Sequence, residues 1–337
     1  MKKNQEVQKI QNKGNKTLKC REFTTKYGAL LVFLTLLVIN LIITPNFFST
    51  YTIWNIIIQS TPTIIVAMGM TFVIAIGGID ISIGSSMALC TITISLMMSK
   101  NYSIGICVIV GLLIGLGLGM LIGVLTIKFD IQPMVLTLAF MIMLRSASRI
   151  TCNDKSVQIV NDTFTNIALK RFDMIPIQTV YVIVVVGIFY ILGEYTIFGK
   201  YVEAIGNNST GAKISGIRSD MISISTYALL GVLVSVSGLL TVARSMNCNP
   251  SSFGSGMEME AIAAVVIGGT SMTGGKPRIL GTTIGCFIMT LITMTVNMNG
   301  VPSSYSMIIK AAIIVMAVYL QSDKVQRKKK LKLFLKK

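Results

Sequence analysis

An all-α polytopic membrane protein with about ten transmembrane helices is the fold class that this sequence predicts, and three observations predict it. Only 13% of the 337 residues are charged, whereas 53% are hydrophobic; a soluble domain carries about a quarter charged residues. The apolar residues gather in blocks of roughly twenty, long enough to cross a hydrocarbon layer of about 30 Å as helices. These blocks are continuous Ile, Leu, Val, Met and Gly runs, without the alternation that membrane β-strands require.

Ten blocks qualify in chain order. The first, 27–45, follows a basic segment, 1–26. The second and third, 53–76 and 82–98, are separated by a glycine-rich break around Asp80. The fourth, 104–126, carries a glycine ridge, and the fifth is 131–149. A long polar segment, 150–176, precedes the sixth, 177–197. Another, 198–220, precedes the seventh, 221–243. The eighth and ninth, 258–274 and 279–298, are joined by Gly275-Lys276-Pro277-Arg278. The tenth, 305–321, leads into a second basic segment, 322–337. Each basic segment holds eight of the 30 Lys and Arg residues. Basic flanks of membrane spans stay on the cytoplasmic side and attract anionic headgroups, so both termini are expected in the cytoplasm. The inner loops then receive Lys128, Lys200, Lys213, Arg218, Lys276 and Arg278. The outer side receives Lys100, Lys155, Lys170, Arg171 and Arg244, mostly in the long loop 150–176.

Several functions are excluded or disfavoured. The formal charge of +17 lies mainly in these flanks, which argues for lipid contact and against nucleic acid. The chain has no histidine, which removes His-based metal sites, Ser-His-Asp and Cys-His catalysis, and a phosphohistidine relay. No Gly-x-x-x-x-Gly-Lys-Ser/Thr loop is present, so the chain does not itself supply ATP hydrolysis. No C-x-x-C pair occurs among the six cysteines; a Cys152–Cys248 bridge on the outer face is left open. The N-terminal lead is too long and polar for a cleaved signal peptide.

The two long loops exceed the few residues that a simple connection needs. The outer one is expected to form a small helical cap. The inner one intersperses Tyr201, Ile205, Ile214 and Ile217 among polar residues, which points to a docked element that touches a partner, with an interfacial helix on lipid as the alternative. Glycines 111, 115, 119 and 123 recur every fourth residue, with Gly117 off that line. Such a ridge brings helix backbones together, within the chain or, less simply, in a dimer.

Between Ile53 and Met98 the only charged side chain is Asp80, inside IGGIDISIGSS. Residues 267–275, IGGTSMTGG, echo it as I-G-G-x-x-x-[S/T]-x-G, with Asp80 opposite Ser271. Glycine clusters discourage a continuous helix. Broken helices in a membrane persist where protein or a water-filled cavity satisfies the freed backbone, and paired interruptions often mark a transport pathway. Gly77, Gly78, Asp80, Ser82, Gly268, Gly269, Thr270 and Ser271 are therefore candidate pathway residues; chance resemblance is the alternative. Asp80 has three competing roles: capping the helix that begins near Ser82, contacting a polar substrate, or relaying protons. The other acids within the spans, Glu194, Glu258 and Glu260, lie near span ends, which ranks capping first and proton coupling last.

PNFFSTYTIWNIIIQSTPTIIVAMGMTFVIAIGGIDISIGSSMAL, VEAIGNNSTGAKISGI and MEMEAIAAVVIGGTSMTGGKPRILGTTIGCFIMTLITMTVNMNGVPSSYSMIIKAAIIVMAVYL resemble the ribose-type sugar permeases of bacterial ABC importers. These belong to the ribose, xylose and autoinducer-2 permeases of the branched-chain permease superfamily. The resemblance runs from about Tyr27 to Gln321 and rests on separated motifs in the right order. It implies the large, vitamin-B12-type (type II) importer fold in the bacterial cytoplasmic membrane. It implies pairing of two permeases, a cytoplasmic ABC ATPase that holds the ATP and Mg, and an extracytoplasmic sugar-binding protein, with no cofactor on this chain. It also places the ATPase-coupling element in 198–220, where Glu203, Gly206, Asn207, Lys213, Ser215, Gly216 and Arg218 are candidates. The family's Gly-Asn-Asn and Ser-Gly-Ile signatures are kept at 206–208 and 215–217. Its usual Glu-Ala-Ala is replaced by Ser209-Thr210-Gly211, which removes any salt bridge from that position. The expected cargo is a ribose-like monosaccharide; the alternatives are a nucleoside, autoinducer-2 or a branched-chain amino acid, or an ion-coupled secondary transporter.

Overall fold

The computed structural model describes residues 28–159 and 161–321; the two basic segments expected to face lipid lie outside the described residues. The helices in chain order are α1 (Gly28–Ile43), α2 (Thr50–Ala75), α3 (Ile83–Ser99), α4 (Ile104–Lys128), α5 (Pro133–Thr151), α6 (Asp162–Leu169), α7 (Ile177–Glu194), α8 (Ile197–Asn207), α9 (Ser209–Ile214), α10 (Ser219–Ser245), α11 (Met257–Ile267), α12 (Ile279–Met298) and α13 (Ser303–Gln321). Among the described residues, α2, α4, α5, α7, α10 and α12 are long and apolar enough to cross a membrane. The chain is a multi-pass membrane protein.

The core is built around α2, which is buried continuously from Ser60 to Ala75 and packs on α7, α10, α11 and α12. Its start is fixed by Ser49, whose Oγ accepts from the Thr52 amide at 3.2 Å, the usual N-cap arrangement. Pro62 sits inside this helix and removes one donor, which frees the carbonyl of Ile58, four residues earlier. Arg244 of α10 donates to that oxygen at 3.4 Å, while Ser237 donates to the Pro62 carbonyl at 2.9 Å. Arg244 therefore turns inward onto α2. The sequence places Arg244 among the outer-side cations; it lies instead in the last turn of α10 and reaches into the bundle.

The glycine ridge of α4 lies against neighbours within the chain. A methyl group at Gly115 would stand 2.4 Å from the Gly231 carbonyl oxygen, and one at Gly119 would stand 2.3 Å from that of Tyr227. The backbones of α4 and α10 thus touch, and Ser235 Oγ donates to Gly111 O at 2.8 Å. Gly117, off the ridge, has open space beside it.

Two expectations change. The segment 150–176 is only partly helical. It contains α6 and contributes to two short antiparallel pairs: β1 (Val157–Gln158) with β4 (Asn247–Cys248), and β2 (Arg171–Phe172) with β3 (Ile175–Pro176). The α6 helix is held from α7, where Gln178 and Tyr181 donate to the carbonyls of Ala168 and Ile167. Cys152 and Cys248 are buried free thiols. The second change is that the helix expected over 258–274 stops at Ile267. The loop before it is folded in by Arg145 of α5, which donates to the carbonyls of Pro250 at 3.1 Å and Phe253 at 2.7 Å.

Candidate functional site

The first glycine-rich break ends α2 in a Schellman turn. Gly77 adopts φ +84°, its amide bonds to Ile74 O at 2.9 Å, and the Gly78 amide bonds to Val73 O at 2.9 Å. A left-handed residue at this position is nearly free for glycine and strained for others. Gly78 is small for a different reason: a methyl there would lie 2.4 Å from Tyr227 Oη on α10. The chain then leads through Asp80, only 5% exposed, to α3. Asp80 Oδ1 accepts from the Ser82 amide at 2.8 Å and from Ser82 Oγ at 2.6 Å. Ser82 itself is the residue that starts α3, its carbonyl accepting from Ser86 N at 2.8 Å. Asp80 is therefore not the helix cap. It clamps the residue that begins the helix, and no basic side chain forms a salt bridge with it among the described residues.

The second break ends α11 in the same turn, with its register shifted by one residue. Here Gly269 takes φ +90°; its amide bonds to Val266 O at 2.9 Å, and that of Thr270 bonds to Val265 O at 3.2 Å. The left-handed glycine is the second residue of IGG in the first copy's Gly77 but the third in the second copy's Gly269. The pairing of Asp80 with Ser271 consequently dissolves. Ser271 is partly exposed and bonds to Thr273 Oγ1 at 2.8 Å. The position that fixes the next helix is Thr270, fully buried, whose Oγ1 accepts from the Arg278 amide at 3.1 Å at the start of α12. Gly268 lets α11 cross α12 backbone to backbone, since a methyl there would stand 2.4 Å from Thr282 N.

The two breaks meet each other. Gly275 N, in the loop after the second break, donates to Ala75 O, the last carbonyl of α2, at 2.8 Å. Gly206 near the end of α8 is wedged into this junction: a methyl on it would lie 1.9 Å from Ala75 O and 2.5 Å from Gly275 N. Three backbone segments thus touch with no side chain between them. Beside them Lys276 donates to Glu194 Oε2 at 2.8 Å, and this bond holds the Lys276 ammonium above its ordinary range.

From the junction the chain runs outward through α9. Val202 and Ile205 of α8 are buried against the bundle. Asn208 caps α9, accepting from Gly211 N at 2.9 Å. A third Schellman turn closes α9 at Gly216, φ +83°, with Gly216 N on Lys213 O and Ile217 N on Ala212 O. Asn207, Lys213, Ser215, Gly216 and Arg218 are exposed, Glu203 partly so, and Lys213 pairs with Asp220 at 2.9 Å. Ile214 is 83% exposed. Of the four apolar residues in this loop, Ile205 is buried against the chain's own bundle and Ile214 is free to meet a partner or lipid.

Sequence reasoning missed one polar constellation. Lys310 of α13 forms a hydrogen-bonded ion pair with Glu260 in the first turn of α11. Thr63 of α2 donates to the other carboxylate oxygen at 3.4 Å. The signal was present in the sequence, because Lys310 is the only charged residue from 303 to 321.

A family model described as the permease component of branched-chain amino acid transport systems matches residues 52–318. The ribose import permease protein of Escherichia coli (strain K12) is 35% identical over 303 residues, which cover 88% of this chain and 93% of that protein. The ribose import permease protein of Bacillus subtilis (strain 168) is 33% identical, covering 89% and 93%. The galactofuranose transporter permease protein of E. coli (strain K12) is 26% identical, covering 88% and 89%. No solved structure matches the chain. With a family match across most of its length and near-complete coverage of a 35%-identical relative, the chain belongs to the family of branched-chain amino acid transport system permease components.

Proposed function

We propose that this chain is the transmembrane permease subunit of a binding-protein-dependent ABC importer that carries a monosaccharide of the ribose type. The observation that carries the mechanism is the three-way backbone junction of Ala75, Gly206 and Gly275. It joins the α8–α9 segment to the end of α2 and to the loop between α11 and α12, which is what an importer driven from outside the subunit needs. Relatives named for ribose and galactofuranose import support the cargo class.

In this reading α1–α5, α7, α10, α12 and α13 are spans of the type II importer fold in the cytoplasmic membrane, and the 11-residue α11, about 16 Å long, makes the tenth crossing together with its flanking loops, so that both termini lie inside. The α9 surface, with Ile214 at its tip, is the element that enters a cleft of the cytoplasmic ATPase, where ATP is bound and hydrolysed. Two permeases pair around a central pathway, and the sugar-binding protein delivers solute to the segment 150–176 on the opposite side. ATP-driven closure of the ATPase pulls α9; α8 carries the displacement through Gly206 to both breaks, and the pathway reorients. Gly77, Gly78, Asp80 and Ser82 shape one break, and Gly268, Gly269 and Thr270 shape the other. Ser271 lies on the surface of its loop.

Reconstitution tests the proposal. Proteoliposomes holding this chain with its ATPase and binding protein are expected to accumulate labelled pentose only with ATP. Uptake by this chain alone, driven by an ion gradient, would replace the importer by a secondary transporter.

A further inference from the structure

The Glu260–Lys310 pair has no part in the junction, yet it is the one ion pair among the described residues that links helices away from their connecting loops. It gathers three elements, since α2 contributes Thr63, α11 contributes Glu260 and α13 contributes Lys310. Buried ion pairs are weak stabilising devices, because desolvation offsets most of their attraction and apolar replacements of similar size hold a fold equally well. Ionisable groups inside membrane spans mark polar pathways by default. The exposure pattern agrees. The Lys310 side chain is 13% exposed and that of Glu260 is 34% exposed, so the carboxylate keeps an open edge. An open charged edge is not stable against hydrocarbon, so it faces water, a polar solute or polar groups of a second permease.

We propose that Glu260 and Lys310 form a hydroxyl-recognition point on the solute pathway, taking a polyhydroxylated solute such as a sugar. The carboxylate is acceptor-only and the ammonium donor-only. Side by side they match two neighbouring hydroxyl groups, one donating to Glu260 and the other accepting from Lys310. Thr63 orients the carboxylate from behind. The inference rests on the importer reading and adds to it the residues that touch the cargo.

Charge exchange separates recognition from simple helix fastening. The probes are labelled pentoses and hexoses in proteoliposomes containing the ATPase and binding protein. Glu260→Gln and Lys310→Met should each lower ATP-driven uptake about ten- to hundred-fold, the effect of losing a hydrogen bond to a charged group. ATP hydrolysis stimulated by the binding protein should continue. The exchanged double variant, Glu260→Lys with Lys310→Glu, should melt in detergent near the wild-type temperature and still fail in uptake, because the polar edge offered to the solute is inverted. Uptake restored by the exchange would reduce the pair to a fastener and overturn the inference. If the exchanged variant does not fold, the neutral pair Glu260→Gln with Lys310→Gln replaces it, and normal uptake by that variant overturns the inference in the same way. No ATP-driven uptake of any sugar by the wild-type assembly would instead remove the importer reading, and this inference with it.

Discussion

Gly206→Ala is the sharpest perturbation of the proposed coupling path. The added methyl would lie 1.9 Å from Ala75 O and 2.5 Å from Gly275 N. Carbon needs roughly 3.5 Å from a non-bonded neighbour, so the junction must open by about 1.5 Å. Opening it breaks the 2.8 Å bond from Gly275 N to Ala75 O and strands both groups, at about 1–3 kcal/mol. Overpacking adds about 1–3 kcal/mol. Together the docked state loses about 2–6 kcal/mol, most of which is relieved if α8 lifts from the breaks. The clash falls on the last residue of α2, at one end of the core, so insertion into the membrane should be normal. The assay is the number of sugar molecules accumulated per ATP hydrolysed in proteoliposomes. It should fall at least about tenfold, since about 1.4 kcal/mol is a factor of ten, while ATP hydrolysis persists. Gly216→Ala is the comparison. Gly216 is left-handed but has open space around it, so the change costs only about 1–2 kcal/mol of local strain and should reduce the ratio much less. A wild-type ratio for Gly206→Ala would refute the view that this junction transmits force.

Three further outcomes follow from the packing. Asp80→Asn keeps an oxygen for the Ser82 amide and hydroxyl and should match wild type in uptake and melting temperature. Asp80→Leu strands two buried donors, at about 1–3 kcal/mol each, and should lower both; equal failure of the two variants would instead assign the role to the negative charge. Gly78→Ala drives a methyl into the buried Tyr227 Oη, and Tyr227→Phe should recover part of the lost stability, with about 1–2 kcal/mol of coupling in a double-mutant cycle read by thermal melting. Gly115→Val should separate α4 from α10 and abolish recovery of folded protein, while Gly117→Val, in open space, should change the melting temperature little, both read by fluorescence size-exclusion in detergent.

The apolar blocks made the membrane class and the main helices legible, because hydrocarbon permits few other ways to satisfy a backbone. The glycine ridge was legible for a similar reason: small residues every fourth position have one geometric use. What stayed hidden was pairing at long range. Arg244 sits at the edge of an apolar block and looked like a loop cation. Its partner is a carbonyl 186 residues earlier, freed by Pro62, and no local pattern links the two. The Glu260–Lys310 pair spans 50 residues; the isolated Lys310 was legible, but its partner was not. The echo of the two breaks was real in sequence but misleading in register. Matching letters do not reveal which glycine turns left-handed, and the residue that fixes the following helix is Thr270, not the Ser271 that the letters set opposite Asp80. The same blindness placed the end of α11 beyond Ile267.

The way the breaks are joined bears on how a displacement could travel. Side chains relax when pushed, through rotamer changes and small shifts, and a contact built of side chains loses part of any movement imposed on it. Backbone atoms in van der Waals contact have no such freedom, and packed interiors transmit strain because they compress little. Where Gly206 of α8 meets Ala75 and Gly274, the contact is backbone on backbone. Immediately beyond, Asp80 clamps the residue before α3 and Thr270 clamps the residue before α12. A push on α9 therefore meets two consecutive rigid joints on each branch before it reaches a helix that can pivot. Within the importer reading, this explains why the interruptions are glycine-rich at the junction and polar just past it: glycine brings the segments into contact, and the short polar side chains tie each following helix to its turn.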